Sequence, residues 1–424
     1  MGKKRLNYLL FLAFFISLLL LLFIGDPVVL FQNYFLILKN PGILLTDFLA
    51  IAGLRATLLN VFITLLLNVL LLKFYKQELT GGVIACLFTI AGFSFFGKSS
   101  INFIPLYLGV ILYTKIHKFS MKDHINVLLL SSGLSPIVSY LVFGSVLNPW
   151  VGLLVGVSLG VLIGYLLPIF NAHALKFHQG YNLYATGFSM GILSMVVTGV
   201  LNSLHISVQT VYIVSKNYHW FLLYATIFIT VSLILAAFIL KPNLWSDYKK
   251  IITSTGRLST DFTKVGSLPA TLLNMGFMGI ISIVLTLALH FLSPNGFTFL
   301  LSGPSFGAIL TVIGFGAFGK HPSNTIPVIL GALVSMYLTP ISVTTGTIIA
   351  IYFVTGLAPI TGRFGILAGF LAGFIHLMIT PLALSFQGGF DLYNNGFAAG
   401  FVAAIIASIF VALRKDIDSS DLHY

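Results

Sequence analysis

Hydrophobic residues run through this chain in long blocks, not in the alternation of a strand or the single stripe of a surface helix. Apolar runs fall near 6–25, 48–72, 79–96, 101–114, 125–144, 150–170, 181–203, 218–240, 267–292, 298–318, 323–339, 342–360, 363–382 and 391–412. A bilayer is crossed by about 20 consecutive apolar residues. The runs at 101–114 and 323–339 are short or open on polar residues, and are read as half-helices. The pattern predicts an all-α polytopic membrane protein of about 14 transmembrane segments.

Composition removes the soluble alternatives. The chain of 424 residues is 58% hydrophobic and 8% charged, against about 25% charged residues in a typical soluble domain. Dividing the length by the segments leaves roughly 30 residues each, a span with a short loop. The single cysteine, Cys86, permits no internal disulfide and no thiolate metal cluster. The apolar run after Met1-Gly2-Lys3-Lys4-Arg5 lacks a small-residue cleavage site at Gly25-Asp26-Pro27 and reads as an uncleaved first span.

Charge supplies the orientation. The formal charge is +12, from 22 Lys and Arg against 10 Asp and Glu. With the N-terminus in the cytoplasm and strict alternation, 18 of the 22 basic residues fall inside. Lys39, Arg55, Lys98 and Lys216 remain outside. This bias predicts a multi-pass protein of the cell membrane with both termini cytoplasmic.

The polar residues repeat. Thr46-Asp47-Phe48 and Ala56-Thr57-Leu58-Leu59-Asn60 recur as Thr260-Asp261-Phe262 and Ala270-Thr271-Leu272-Leu273-Asn274. Phe96-Gly97-Lys98, Asn102 and Ile104-Pro105 recur as Phe318-Gly319-Lys320, Asn324 and Ile326-Pro327. Gly133-Leu134 and Pro136-Ile137 recur as Gly356-Leu357 and Pro359-Ile360, and the ladder Gly156, Gly160, Gly164 as Gly365, Gly369, Gly373. Gly180, Leu183-Tyr184 and Gly187-Phe188 recur as Gly389, Leu392-Tyr393 and Gly396-Phe397. The block offsets are 214, 222, 223, 209 and 209, so order is kept and only loop lengths drift.

The expected division is an N-terminal span and loop (1–43), a first unit (44–203), a linking span and cytoplasmic loop (204–257), a second unit (258–412) and a cytoplasmic tail (413–424). Each unit has six segments and one span lies between them. The second unit therefore enters from the opposite side, the inverted-repeat plan of many secondary transporters.

Three polar motifs interrupt the apolar runs. In Phe96–Pro105 and Phe318–Pro327 a Gly-broken stretch precedes a proline placed to open a short helix, Pro105 or Pro327. Broken helices at matching positions point to a solute site, so Lys98, Ser99, Ser100, Asn102, Lys320, Ser323, Asn324 and Thr325 are the expected solute-binding residues. Lysines snorkelling from an ordinary loop are the plainer reading. The second motif holds His178, Asn182 and Tyr184, matched by Asp391, Tyr393 and Asn395; these six are the expected coupling or pore residues. Asp391 replaces Asn182 and leaves one carboxyl in one unit. Intramembrane ionisable groups are costly and usually functional, although Asn and Asp also cap helices. Asp47 and Asp261, each after Thr, read first as caps. The glycine ladders read as close helix packing. His173, His178, His290 and His376 are scattered, and no metal, nucleotide or nucleophile motif appears.

The blocks around Thr46-Asp47-Phe48, Phe96-Gly97-Lys98 and Phe177-His178-Gln179-Gly180-Tyr181-Asn182-Leu183-Tyr184 resemble an uncharacterised bacterial membrane family, domain of unknown function 1576, over most of the chain. Phe95-Phe96-Gly97-Lys98-Ser99-Ser100-Ile101-Asn102-Phe103-Ile104-Pro105 is similar to the Phe-Gly-Thr-Ser run of sulfate-permease-type anion transporters, with Lys98 in place of their Thr. That likeness implies crossed half-helices in a seven-plus-seven inverted repeat. Gly180-Tyr181-Asn182 is similar to an element of urea transporters, which have five-plus-five inverted halves.

The expected function is a secondary transporter or channel for a small polar or anionic solute, working by alternating access or a gated pore. The expected partners are the bilayer, the solute, and H+ or Na+; a homo-oligomer remains open, and no cofactor, metal or nucleic acid is expected. The alternatives are an intramembrane enzyme on a lipid-linked substrate, which the scarcity of carboxylates opposes, and a non-transporting assembly protein.

Overall fold

The computed structural model describes residues 24–294 and 296–413. These residues form helices joined by short turns, and their only strand-like pairings are isolated bridges. In chain order come α1 (Pro27–Leu38), α2 (Phe48–Phe74), α3 (Gly81–Phe93), α4 (Ile104–Ile116), α5 (Met121–Ser131), α6 (Ser135–Phe143), α7 (Pro149–Phe177) and α8 (Ala185–Ser203). Then α9 (His219–Leu240) and α10 (Trp245–Ile252) lead to α11 (Phe262–Val265), α12 (Leu268–Leu292), α13 (Gly303–Gly314) and α14 (Pro322–Leu338). The last are α15 (Thr345–Phe353), α16 (Ala358–Phe364), α17 (Ile366–Gln387) and α18 (Asn394–Leu413).

Among the described residues, nine helical stretches are long and apolar enough to cross a membrane, α5–α6 and α15–α16 each counting as one. The chain is a multi-pass membrane protein. The run at 6–25 lies almost wholly outside the described residues, as does the tail. Four other runs give short helices, α3, α4, α13 and α14. A helix rises 1.5 Å per residue, so the 13 residues of α3 reach about 20 Å, short of a hydrocarbon core of about 30 Å. The sequence marked two short runs; the structure adds 79–96 and 298–318. Both lose their last residues to the turns at Gly97 and Gly319, whose φ of +68° and +89° favours glycine.

Two details differ from expectation. Pro105 opens α4 as expected, but Pro327 lies inside α14. That helix starts at Pro322, where the first unit has Ser100. A proline at the first position and a reciprocal His321–Asn324 cap begin it a turn earlier. The second difference is α1, inside the stretch read as a loop. Asp26 caps it by accepting from Val28 N at 2.8 Å, and Pro27 takes its first position.

The two units make matching contacts. In the first, α2 breaks at Gly53 (φ +73°); in the second, the break at Gly266 and Ser267 separates α11 from α12. The packed pairs α4 with α7 and α14 with α17 correspond. Gly164 lies against Leu106 O and Gly373 against Val328 O so closely that a Cβ would come within 2.0 Å of each oxygen. Gly156, Gly160, Gly164, Gly369 and Gly373 therefore pack helices, as read from sequence; Gly365 does not, since it stands before α17 at φ +94° with nothing beside it.

The correspondence also reaches further back than residues 44 and 258. Leu30, Tyr34 and Ile37 of α1 pack with Phe48, Ala56 and Leu59, while Leu244, Tyr248 and Ile251 pack with Phe262, Ala270 and Leu273. Two further packed pairs join the units: α3 with α13 and α8 with α18.

Candidate functional site

The aspartates read as caps do cap, and each also reaches into the other unit. Asp47 Oδ1 accepts from Leu49 N at 2.9 Å at the start of α2. Its Oδ2 accepts from Gly303 N, the first residue of α13, and from Ser215 N, both at 3.0 Å. Asp261 Oδ1 accepts from Thr263 N and from Gly81 N, the first residue of α3, again at 3.0 Å. Helix N-termini carry free N–H groups and partial positive charge, which a carboxylate satisfies. The two carboxylates thus fix α3 and α13, which cross at Gly92 and Gly307.

At the ends of these helices the chain turns through the two Gly-Lys motifs. Asn60 Nδ2 donates to Ser94 O and Lys98 O at 2.9 Å. Asn274 Nδ2 donates to the matching Gly316 O and Lys320 O at 2.7 Å. Asn102 holds its own turn by accepting from Ser99 N and donating to Gly97 O, both at 3.0 Å, and it donates to Ser139 Oγ at 2.8 Å. Asn324 accepts from His321 N and donates to Gly319 O, both at 2.9 Å. The amides of Asn102 and Asn324 are therefore spent on positioning the lysines.

Both lysines are fully buried, with 0% of their surface exposed. Lys320 Nζ donates to Tyr184 OH and, at 2.7 Å, to Thr355 Oγ1. It also lies 4.4 Å from the centre of the Tyr184 ring. Lys98 Nζ has no hydrogen-bond partner; it sits 4.4 Å above the Phe103 ring and 5.8 Å from that of Tyr107. Cation–π attraction offsets only part of an ammonium's lost hydration. Among the described residues, the ion pairs are those of Lys241 and Lys250 with Asp247, so neither buried lysine meets a carboxylate.

Of the other expected solute-binding residues, Ser99, Ser100 and Thr325 are buried, and Ser100 Oγ bonds Tyr34 OH. Ser323 is exposed and bonded to Ile252 O and His321 Nδ1.

Tyr184 and Tyr393 meet at the centre, ring centroids 4.6 Å apart, with Tyr184 edge-on to Phe315 and Tyr393 edge-on to Phe93; these two phenylalanines are counterparts, following Gly314 and Gly92. Asn182 Oδ1 accepts from Tyr184 N and its Nδ2 donates to Gly396 O, both at 2.9 Å. Asp391 Oδ1 accepts from Tyr393 N at 2.8 Å. Asn395 joins the same segment; its carbonyl lies 3.3 Å from His376 Nε2. His178 stands apart against Phe188, both ring nitrogens without partners.

Sequence reasoning missed Thr355, which precedes the repeated Gly356-Leu357 as Ser132 precedes Gly133-Leu134. A polar residue at both copies was the available signal. It also missed Cys86, whose Sγ reaches Asn126, and Tyr107, whose hydroxyl donates to Asn68 Oδ1 at 2.7 Å.

Two clefts approach this centre. One, of about 430 Å³, is largely apolar and includes Leu45, Phe96, Gly346, Ile349, Asn394 and Asn395. The other, of about 460 Å³, is polar and includes Phe318, Ser259, Asp123, Asn126, Asp261 and Lys264. Leu45 and Ser259, Phe96 and Phe318, Gly346 and Asp123, and Ile349 and Asn126 are matched pairs, so the clefts occupy corresponding places. Neither is lined by Lys98 or Lys320. No group of three or more His, Cys, Asp or Glu able to hold a metal is found among the described residues.

The chain belongs to the family described as Protein of unknown function (DUF1576), whose model matches residues 27–203 and 240–412. No curated protein and no solved structure matches it.

Proposed function

We propose that this chain is a secondary transporter or gated channel for a small anionic or polar solute, built as an inverted repeat. The observation that carries the reading is the pair of fully buried lysines at matched positions with no carboxylate beside either. Withdrawing an ammonium from water costs several kcal/mol unless it is paired. Lys98 lacks even a hydrogen bond. A solute carrying an anionic or strong acceptor group supplies what that site lacks, and the carboxylate-poor interior leaves it little competition.

The remaining features support a cycle. The helix pairs α3–α13 and α8–α18 join matched elements, which is how two inverted halves meet along a pseudo-axis. In that arrangement the two clefts open to opposite sides. Neither reaches the lysines, as in a state closed at both ends. The short helices α3, α4, α13 and α14 are the half-helices of this reading, and the cross-unit caps at Gly81 and Gly303 keep each half registered on the other. Alternating access follows if the units rock about these crossings so that one cleft, then the other, reaches the lysines.

The test is a thermal-shift screen of purified protein against small anions and neutral polar solutes, followed by flux in liposomes for any stabilising solute. Stabilisation that is lost in Lys98→Met supports the reading. A solute that stabilises parent and variant equally removes Lys98 from the site.

A further inference from the structure

The two units differ at one position where their surroundings match closely. Asn182 and Asp391 are counterparts. The residue after each donates its backbone N–H to the opposite unit: Leu183 N to Gly356 O at 2.9 Å and Leu392 N to Gly133 O at 3.0 Å. The first oxygen of each side chain accepts from the tyrosine two residues on. The second atom differs. Asn182 Nδ2 donates to Gly396 O, while the buried Asp391 Oδ2 has no partner. The counterpart of Gly396 is Gly187, and these glycines pack so closely that a Cβ on Gly396 would lie 2.9 Å from Gly187 Cα.

We propose that Asp391 is a proton-binding site: its Oδ2 holds a dissociable proton and donates it to the backbone carbonyl of Gly187, as the Asn182 amide donates to Gly396. If Oδ2 meets the Gly187 carbonyl as Asn182 Nδ2 meets that of Gly396, its ionised form sets one acceptor against another with no hydrogen between them. The proton turns that contact into a hydrogen bond and fastens α18 to α8.

The titratable groups around this segment are Tyr393, Tyr184 tilted against it, Cys86 from α3, Tyr140 from α6 against Phe390, and His376 from α17 at Asn395. None of these side chains is hydrogen-bonded to Asp391, and no lysine or arginine pairs with it. One uncommitted oxygen suits a proton, whereas hard metal cations take six or more oxygen ligands. Releasing the proton to water leaves the Gly187 carbonyl without its donor and weakens the α8–α18 crossing. Resting on the transport reading, this makes H+ the coupling ion and that crossing the contact it gates.

The experiment is infrared spectroscopy of the purified full chain at neutral pH, without solute, reading the carbonyl stretch of a protonated carboxylic acid. The parent shows this band and Asp391→Asn lacks it, while Asp261→Asn retains it. Asp391→Asn recreates the Asn182 arrangement, so it elutes as a folded monodisperse species. No acid band in the parent, or a band that persists in Asp391→Asn, overturns the proposal. Because no solute is present, this result is read separately from transport: flux that fails in liposomes while the band behaves as stated removes the transport reading alone.

Discussion

Replacing Asp47 tests how far the two units depend on each other. Its carboxylate satisfies three backbone N–H groups, those of Leu49, Ser215 and Gly303, and it is fully buried. Asp47→Ala strands all three. A buried donor left unsatisfied costs about 1–3 kcal/mol, so the loss is at least about 3 kcal/mol, a large part of a typical total of about 5–15 kcal/mol. Asp47→Asn keeps one acceptor oxygen. Turned one way it serves Leu49 N; turned the other it serves Ser215 N and Gly303 N. At least one donor is stranded either way, for about 1–3 kcal/mol. Asp261 is only partly buried, so water replaces some of its bonds and Asp261→Ala costs about 1–2 kcal/mol. The assay is reversible unfolding in mixed micelles. The expected order of loss is Asp47→Ala, then Asp47→Asn and Asp261→Ala. An Asp47→Ala protein within about 0.5 kcal/mol of the parent, the range of an ordinary surface substitution, refutes the cross-unit cap as a stabilising contact.

Three further outcomes are expected. Gly92→Ala places a Cβ 2.5 Å from Gly307 O, and forcing α3 from α13 costs about 1–3 kcal/mol or more by the same unfolding assay. In a Cys86→Ala background, Gln209→Cys and Ser246→Cys label from opposite sides of the membrane, outside and inside respectively; labelling of both from one side sinks the inverted arrangement. Outside the spans, the Lys241 ammonium bonded at 2.7 Å to Asp247 holds that carboxyl below its ordinary value of 3.8. A depressed carboxyl contributes its stability above that ordinary value and loses it as pH falls through the folded one. The melting difference between parent and Lys241→Met therefore holds near neutrality and shrinks below about pH 4.

The apolar runs made the helices legible, because a bilayer-sized block of hydrophobic residues has one stable backbone form. The caps at Asp47 and Asp261 were legible for the same local reason. Their second role was not, since Gly303 lies 256 residues from Asp47 and Gly81 lies 180 from Asp261. Pro327 shows how a matched motif misleads: Pro322, present in one unit only, moves the helix start. The shared Leu-x3-Tyr-x2-Ile spacing of 30–37 and 244–251 stayed hidden because one copy sits in an apolar stretch and the other beside Asp247, Lys249 and Lys250. At the lysines, sequence pattern placed the residue but not the direction of its side chain. Only packing separates Lys320, bonded to Tyr184 and Thr355, from Lys98, which faces rings without a hydrogen bond.

Solute flux in proteoliposomes, with Lys98→Met and Lys320→Met beside the parent, tests the central claim most directly. The solute is the strongest stabiliser from the thermal-shift screen. The account predicts exchange by the parent and loss of exchange in Lys98→Met, with the variant still folded and monodisperse. It predicts a smaller loss in Lys320→Met, whose ammonium is already held by Tyr184 and Thr355. Undiminished exchange in both variants contradicts the account.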